Sequence, residues 1–448
     1  MPDQVPLTFQ QEWLWDAICA NESWQCAAAR AFRLRGALNF PLLQECLQEV
    51  VWRHGALRTR IAPRGSVVVQ DVLDPEAYQL ERITIGGACS TEVAANARRH
   101  FEDVCDRKMN RSVEVLWSAR LLELNEHEHW IVFAMHRLIG DCVSIEQTYR
   151  ETKLLYGERL QDRAALLKPP AQYGDYAIWQ QQTAGDWVKR HEPYWVRHLT
   201  DARPLHWPVD MDLTVTTPGV LGKAHCTFGS TLSAGLLELA RTMRTLPAVP
   251  MMAIYAAVLW RWCQQEDFIL PLNTAGRPTD YKSAIGYFGY ALCLRIHISG
   301  GETFRDLVSR VGSEFFSSMS HQDFGRIVRQ RPELLSGTLF QWVTWHPEED
   351  PDERIGVREF GEGLTVVPPG MTALEVTAFD SPTGVHAFGS YRADRFTSQT
   401  MEQFMTDLYR AADIFIHNPD ARIAVVAKAG AHVHAMTEGR APGVTLGA

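Results

Sequence analysis

The chain has 448 residues, 46% of them hydrophobic and 22% charged, which is an ordinary globular composition. That length exceeds what one hydrophobic core supports, so we expect two or three lobes. The net charge of −9 is spread along the chain and argues against a nucleic-acid-binding face, and the nine cysteines include no C-x-x-C pair that would indicate a zinc knuckle.

Neither a signal peptide nor a membrane span is predicted. The N-terminal sequence has neither the basic nor the apolar region of a signal peptide. The longest apolar run, residues 251–260, is about half as long as a membrane span requires. We therefore expect a cytoplasmic protein with free thiols and no disulfide framework.

Helices and strands alternate in the first half of the sequence. Thr8 can cap a first helix and Asn39 a second. This alternation predicts a sheet covered by helices. The predicted strands are residues 29–34, 57–61, 67–72, 80–85, 119–124 and 130–135, and later helices are predicted at 91–106 and 143–156.

A Lys168-Pro169-Pro170 break marks a lobe boundary, which we place between residues 1–172 and 173–448. A helical bridge is predicted from Tyr173 to about His198, and the tail after about residue 430 is predicted to be loose. The second half resembles the first in element order. Its predicted elements are 226–228, 234–243, 251–265, 268–273, 291–298, 303–320, 339–345, 372–379, 385–391 and 398–416.

One polar segment closes a buried strand and opens a helix, at residues 134–144 (AMHRLIGDCVS). Such a segment lies at the rim of a sheet, where α/β folds build sites. The simpler interpretation is a buried His and a surface Arg near a turn. His127, Glu128 and His129, by contrast, are interpreted as a solvated hairpin turn, because they offer no third ligand for a metal.

Five further segments carry a common pattern. In chain order they resemble the sequence boxes of the condensation domains of non-ribosomal peptide synthetases, which belong to the chloramphenicol acetyltransferase-like superfamily. The segments are residues 8–15 (TFQQEWLW), 53–59 (RHGALRT), 173–179 (YGDYAIW), 285–295 (IGYFGYALCLR) and 321–324 (HQDF).

This resemblance implies an α/β fold, an α+β sandwich of two chloramphenicol acetyltransferase-like lobes in a V shape with a tunnel between them. The family transfers an acyl group from one carrier-bound thioester to the amine of another carrier-bound substrate. The resemblance also implies that the protein binds no cofactor of its own, since the substrates arrive on the phosphopantetheine arms of carrier proteins.

The family's central motif, H-H-x-x-x-D-G, aligns with residues 136–142 (HRLIGDC). His136 and Asp141 match, whereas Arg137 replaces the second His, which the family uses catalytically. Arg is donor-only and stays protonated, so Arg137 cannot act as a base, although it could stabilise a developing oxyanion. His136 is the other candidate base, but alternation along a strand predicts that it points away from the tunnel and that Arg137 points into it.

The same alignment supplies the remaining site residues. The resemblance implies a structural Asp141 that forms an ion pair with Arg295. Cys142 replaces the Gly of the motif and Tyr290 the Asn of a later box. We predict that Cys142, Ser144 and Tyr290 contact substrate and that Cys142 narrows the site. A nucleophilic Cys142 is the weaker alternative, because Asp141 opposes formation of the thiolate.

Functions from different classes fit these residues. The favoured one is a freestanding condensation enzyme acting on peptidyl or acyl carrier proteins, since Met1-Pro2 looks like a natural start and no adenylation or carrier domain follows Ala448. The second is a non-catalytic docking module. It resembles the X domains of glycopeptide synthetases, which carry H-R-x-x-x-D-D and recruit cytochrome P450s, but the match fails at Cys142. A third is acyl transfer to an alcohol, or epimerisation.

Overall fold

The structure, a computed structural model, has a mixed α/β fold with three sheets in the residues it describes. The predicted box at 321–324 is described only at its first two residues, and the tail predicted to be loose lies outside the described residues. The described residues are 5–20, 27–106, 115–210, 221–322, 326–344, 354–358, 372–381 and 384–428.

The first half alternates helices and strands as the sequence predicts. Its elements are β1 (Val5–Pro6), α1 (Phe9–Ala20), β2 (Ala27–Arg35), α2 (Phe40–Arg53), β3 (Thr59–Arg64), β4 (Val67–Val72), β5 (Glu81–Thr84), α3 (Ser90–Asp106), β6 (Trp117–Asn125), β7 (Glu128–His136) and α4 (Cys142–Arg159). The long helix α5 (Tyr173–His198) follows, with the bounds predicted for the helical bridge.

The second half contains a larger sheet and more helices. Its elements are β8 (Leu221–Thr227), α6 (Ser230–Thr242), α7 (Ala248–Cys263), β9 (Asp267–Thr274), β10 (Tyr290–His297), α8 (Phe304–Ser320), α9 (Arg326–Gln330), β11 (Thr338–Thr344), β12 (Arg354–Arg358), β13 (Leu374–Ser381), β14 (Gly384–Arg392), α10 (Ser398–His417) and α11 (Val425–Lys428).

Strand β7 lies in the middle of a five-stranded sheet of order β12-β2-β7-β6-β5, antiparallel to both neighbours. Its run of apolar residues is continuous because both faces are covered. Ile131 and Phe133 belong to one buried cluster, whereas Val132 and Ala134 belong to another on the opposite face. The strand that leads into the His136 segment is therefore fixed from both sides.

The second sheet has six strands in the order β10-β9-β11-β13-β14-β8. Strand β11 is parallel to β9 and β13, and the other pairs are antiparallel. Helix α7 packs in this core with Val249–Leu259 all buried, which explains the longest apolar run of the sequence. Within the described ranges, no helix combines the length and the apolar character that a membrane crossing requires.

One strand does not follow the division of the chain at residue 172. Strand β12 comes from the second half but pairs antiparallel with β2 in the sheet of the first half. The sequence pattern at residues 354–358 does not predict a strand. The boundary between residues 1–172 and 173–448 stays a prediction, and β12 shows that chain order and sheet membership differ at this point.

Two local predictions were wrong. The strand expected at 57–61 begins only at Thr59, because Gly55–Arg58 form a 3₁₀ turn. His129 is not in a solvated turn: it lies within β7, is 4% exposed, and burial lowers the pKa of its imidazole. In the part of the chain described, no three His, Cys, Asp or Glu side chains are grouped as metal ligands.

The box at residues 53–59 joins helix α2 to helix α4 and to the start of α5. Arg53 Nε donates to Glu151 Oε2 at 3.0 Å, and His54 Nε2 lies 3.0 Å from the same oxygen. Gly55 N donates to Gln172 Oε1 at 2.9 Å, directly before α5. This box therefore stabilises the fold and lies in the scaffold around the site.

Acidification is expected to destabilise the fold through Glu151. Burial opposes its ionisation, but His54, Gln147 and Arg53 together lower the pKa of Glu151 from 4.5 to about 2. Between these values the unfolded chain binds a proton that the folded chain does not, so stability falls as the pH falls from about 4.5 towards about 2. Denaturation curves measured across this pH range should show a smaller decrease in the free energy of unfolding for Glu151→Gln than for wild type. An equal decrease in the two proteins would contradict this role of Glu151.

Candidate active site

The segment from His136 to Ser144 links the end of β7 to the start of α4. His136 is the last residue of the strand, residues 137–139 form a turn, and Asp141 caps the helix. Arg137 is 9% exposed, so the simpler interpretation of a surface Arg is wrong. Because Arg137 lies in the turn, strand alternation does not fix its direction, and its predicted orientation into a tunnel stays a prediction.

The imidazole of His136 is held by the turn that follows it. Leu138 N donates to His136 Nδ1 at 3.1 Å, and the ring is buried. The accepting Nδ1 must be unprotonated, so a neutral ring carries its proton on Nε2. In this tautomer Nδ1 is already used, and Nε2 has no lone pair with which to accept a proton from substrate.

Asp141 makes two kinds of contact. As the N-cap of α4, its carboxylate accepts from Ser144 N at 2.9 Å and from Ser144 Oγ at 2.8 Å. Across to the second half, it accepts from Arg277 Nη2 at 2.6 Å. The two side chains are 9% and 7% exposed, so this is a buried ion pair. Asp141 therefore fixes the start of α4 and joins the two halves of the chain.

The predicted ion pair between Asp141 and Arg295 is wrong. Arg295 lies in β10, where its guanidinium binds both carboxylate oxygens of Asp267 in neighbouring β9 at 2.9 and 2.7 Å. The physical reason is the register of the two strands. Arg295 lies opposite Ile269, so Asp267, two residues from Ile269 in β9, is its diagonal neighbour on the same face of the sheet. Arg277 is the residue that reaches Asp141, from the loop between β9 and β10.

We call this contact between the two halves of the chain, formed by Asp141, Ser144, Arg277 and Gly286, the joint. The single hydroxyl proton of Ser144 goes to the Asp141 carboxylate, the stronger acceptor, while its oxygen accepts from Gly286 N at 3.0 Å and lies 2.9 Å from Gly286 O. The residue is fully buried. Gly286 itself leaves no room for a side chain, because a Cβ there would lie 2.0 Å from the ring of Tyr173. The substrate contact predicted for Ser144 stays a prediction, whereas its contacts across the joint are direct.

Three of the sequence boxes, at residues 8–15, 173–179 and 285–295, meet at this joint. Gln11 Nε2 donates to Leu138 O at 2.6 Å and so holds the turn that carries Arg137. Gln10 Nε2 donates to Phe288 O at 3.2 Å. The Tyr173 hydroxyl contacts Thr8 Oγ1 at 2.9 Å and donates to Tyr287 O. Local sequence indicates no site role for these residues or for Arg277.

Local sequence could have indicated a loop at Arg277 but not its partner. Gly276 has a φ of +57° and Pro278 follows, which is a turn signal. The side chain of Arg277 then stacks over the Phe288 ring, 4.4 Å from its centroid. The contact with Asp141 spans 136 residues of sequence, and no local pattern reports such a distance.

Cys142 and Tyr290 lie at the edges of the joint. Cys142 is the first residue of α4, and it is half-buried. Cys142 is not among the described non-glycine residues that have a positive φ, so its backbone does not require the Gly of the family motif. Tyr290 begins β10 two residues after Phe288, and it is 5% exposed. Their predicted contacts with substrate stay predictions.

Sequence comparison identifies relatives over nearly the whole chain. The model of the condensation domain family matches residues 1–429. A linear gramicidin synthase from Brevibacillus parabrevis is 27% identical over 437 residues, which cover 94% of this chain and 8% of that protein. Chondramide synthase cmdD of Chondromyces crocatus is 28% identical over 438 residues, which cover 94% and 11%. The chain spans about a tenth of the length of these relatives.

Solved structures show the same fold. The SgcC5 protein from Streptomyces globisporus superposes with a TM-score of 0.77 at 22% identity, over 93% of this chain and 100% of that one. The X-domain from teicoplanin biosynthesis superposes with a TM-score of 0.77 at 23% identity, over 95% and 97%. Together with the family match, these similarities show that the chain belongs to the condensation domain family and has its chloramphenicol acetyltransferase-like fold.

Proposed function

We propose that this chain joins a carrier-bound acyl group to a carrier-bound amine, which forms an amide bond. Its membership in the condensation domain family supports this reaction. Both substrates are thioesters on phosphopantetheine arms, so peptidyl or acyl carrier proteins are the proposed partners. The protein itself needs no bound cofactor for this chemistry.

The observation that carries the proposal is the buried pair of Asp141 and Arg277. Burying two charges costs free energy that only good geometry and further hydrogen bonds offset. Here Ser144 and Phe288 N provide those bonds, with Phe288 N 3.4 Å from Asp141 Oδ2. The joint thus holds the segment of His136 and Arg137 next to residues from the second half of the chain. A reaction that brings together two separately bound substrates requires a rigid site of this kind.

Amide formation requires three events: the amine nitrogen attacks the thioester carbon, the C–S bond breaks, and the nitrogen loses a proton. His136 is a poor base because its Nδ1 is engaged by Leu138 N. Arg137 offers donors only. We assign Arg137 to the oxyanion of the tetrahedral intermediate. The amine proton then passes to the departing thiolate sulfur, which leaves as a neutral thiol.

The test is a reconstituted reaction. Wild-type protein is mixed with an acyl-loaded donor carrier and an aminoacyl-loaded acceptor carrier, and amide product is measured by mass spectrometry. Because removing one oxyanion donor costs about 10²–10³ in rate, Arg137→Ala should slow product formation by that factor. Arg137→Lys, which keeps one cationic donor but not the bidentate fork, is the matched control and should lose less.

Two outcomes would contradict the proposal. Product formation by wild type no faster than in the absence of protein would show that the chain does not catalyse condensation under these conditions. Equal rates for wild type and Arg137→Ala, with equal melting temperatures, would remove Arg137 from the reaction. An acceptor carrier loaded with a hydroxy acid tests ester formation in the same assay.

A non-catalytic docking role is the second candidate. It is favoured by Arg137 in the place of the family's His, together with the similarity to an X-domain solved in complex with OxyB, at a TM-score of 0.79 and 22% identity over 95% of this chain and 96% of that one. In this role the partner is a carrier protein or a tailoring oxidase such as a cytochrome P450. Tight carrier binding by calorimetry without any amide product would favour docking over catalysis.

A further inference from the structure

Two buried glutamines, Gln11 in α1 and Gln70 in β4, lie beside the turn that follows His136. Gln11 is 0% exposed and Gln70 is 3% exposed. A buried side-chain amide costs free energy unless its oxygen and its two N–H donors find partners. The proposed reaction uses neither amide, so the hydrogen bonds of the two glutamines identify what they contribute to the site.

The side-chain oxygen of Gln11 is used by helix α1. Gln11 is the third residue of this helix, and its Oε1 accepts from Thr8 N at 2.9 Å, while Thr8 Oγ1 accepts from Gln11 N at 3.1 Å. These reciprocal bonds form a capping box at the start of the helix. The oxygen of the Gln11 amide is therefore directed back to Thr8, and its nitrogen is directed elsewhere.

The nitrogen of the Gln11 amide binds two oxygen atoms. Nε2 donates to Leu138 O at 2.6 Å and to Gln70 Oε1 at 3.0 Å. Gln70 is fixed in turn, because its own Nε2 donates to Pro6 O at 2.8 Å. Rotating the Gln11 amide by half a turn would bring its oxygen against two other oxygens and would leave Thr8 N without its acceptor. One orientation of the two amides thus satisfies all of these groups.

The contact with Leu138 lies next to both candidate site residues. Gln11 binds the carbonyl oxygen of Leu138, and the N–H of Leu138 donates to His136 Nδ1 at 3.1 Å. The peptide groups on both sides of the Leu138 Cα are thus hydrogen-bonded. Because the N–H of Leu138 needs an unprotonated Nδ1, the position of this peptide decides which nitrogen of a neutral His136 ring carries the proton.

We propose that Gln11 and Gln70 are positioning residues for the turn at residues 137–139. Gln70 orients the Gln11 amide, and Gln11 holds Leu138. The Leu138 peptide keeps the His136 proton on Nε2 and fixes the backbone from which the Arg137 side chain extends. The effect on the reaction rate rests on the proposed function, whereas the effect on His136 and Leu138 does not.

Gln11→Met tests this role, because methionine has a similar length and cannot donate to Leu138 O or to Gln70 Oε1. The Leu138 amide should exchange with solvent about tenfold faster, as expected for the loss of one buried hydrogen bond. Nitrogen NMR of histidine-labelled protein should show a mixture of the two neutral tautomers of His136 instead of the Nε2–H form alone. His136→Asn identifies the signals of this ring.

The matched control is Asp306→Ala in helix α8. Asp306 has the place in its helix that Gln11 has in α1, since its carboxylate accepts from Thr303 N at 3.3 Å in a capping box. This variant loses a capping contact and keeps every contact at the turn. Its Leu138 exchange and its His136 signals should therefore equal those of wild type.

Gln70→Met is a second, milder variant. It keeps the capping box of Gln11 but removes the acceptor of one Gln11 N–H and the donor to Pro6 O. The exchange of the Leu138 amide should change in the same direction as in Gln11→Met, by a smaller factor. If Gln11→Met does not fold, Gln70→Met decides the question.

The rate of amide formation gives a third measurement. With loaded carriers, Gln11→Met should lower kcat about tenfold or more and leave KM for both carriers nearly unchanged, because the turn is altered and the carrier-binding surfaces are not. A kcat equal to that of wild type, in a variant whose Leu138 exchange has changed, would remove the two glutamines from the reaction.

Faster Leu138 exchange and mixed His136 tautomers in Gln11→Met, absent from Asp306→Ala, would support the positioning role. Unchanged exchange and unchanged His136 signals in folded Gln11→Met would overturn it, as would equal changes in Asp306→Ala. If wild type forms no amide, the proposed function fails, and the exchange and tautomer measurements alone decide the positioning role.

Discussion

Replacing Asp141 by Ala is expected to lower the free energy of unfolding by about 3–5 kcal/mol. The substitution leaves the Arg277 guanidinium, 7% exposed, without its carboxylate partner. It also removes the cap of α4, where Asp141 accepts from Ser144 N. A buried unpaired charge is costly because neither water nor a counter-charge replaces the lost partner, so this variant should melt well below wild type.

Two controls separate the ion pair from the other contacts. Asp141→Asn keeps a good N-cap and removes the charge, so it should retain most of the cap while losing the ion pair. Asp267→Ala removes the partner of Arg295 in a pair whose carboxylate is 39% exposed, and it should cost about 1 kcal/mol or less. Urea denaturation of the three variants beside wild type gives the comparison.

An unfolding free energy of Asp141→Ala within about 1 kcal/mol of wild type would contradict the structural role of the pair. A larger loss for Asp267→Ala than for Asp141→Ala would instead make the pair of Asp267 and Arg295 the more important of the two for stability. A double-mutant cycle with Arg277→Ala measures the coupling directly, because the two residues are in contact and their effects are not expected to add.

The elements of the fold were largely readable from local sequence, because periodicity and caps act over a few residues. Helix α5 was predicted with its observed bounds, and Asn39 caps α2 by accepting from Leu42 N at 3.2 Å, as its position before an apolar helix indicated. Strand β12 was missed because its five residues are ordered by pairing with β2, which lies more than 300 residues earlier in the chain.

The site shows the same division between local and distant information. The capping interaction of Asp141 with Ser144 is a three-residue pattern and could be expected from sequence. The partner of Asp141 could not be predicted, because several arginines occur in the second half of the chain. Only the fold shows that Arg277, in the loop after β9, reaches Asp141, whereas Arg295, in β10, binds Asp267. The side-chain direction of Arg137 was also beyond the sequence, because the strand ends one residue before it.

Placing His at position 137 and Gly at position 142 is expected to raise amide formation by about 10²–10⁴-fold over the matched variant with Ala at 137 and Gly at 142. The comparison is made with Arg137→Ala/Cys142→Gly because both proteins then lack the guanidinium and the sulfur. They differ only in the presence of an imidazole that can accept the amine proton. The measurement is the initial rate of amide formation from loaded carriers.

The backbone tolerates these substitutions. Cys142 does not adopt the positive φ that would demand a particular residue, and it occupies the first position of α4, where Gly costs less than about 1 kcal/mol. The turn at residues 137–139 is held by Gln11 Nε2, which donates to Leu138 O, and by Leu138 N, which donates to His136 Nδ1. Equal circular dichroism spectra for the variants would show that the turn is intact.

The pH profile distinguishes a base from a binding residue. With His at 137 the rate should rise as the imidazole loses its proton, around its ordinary pKa of about 6.5, because only the neutral form accepts the amine proton. Wild type should lack this limb, since Arg137 stays protonated throughout the range. A His variant no faster than its Ala counterpart, in a folded protein that binds loaded carriers, would place position 137 away from the reacting amine. That result would contradict both the oxyanion role of Arg137 and the base role of His at position 137. Docking would then be the function that the remaining observations support.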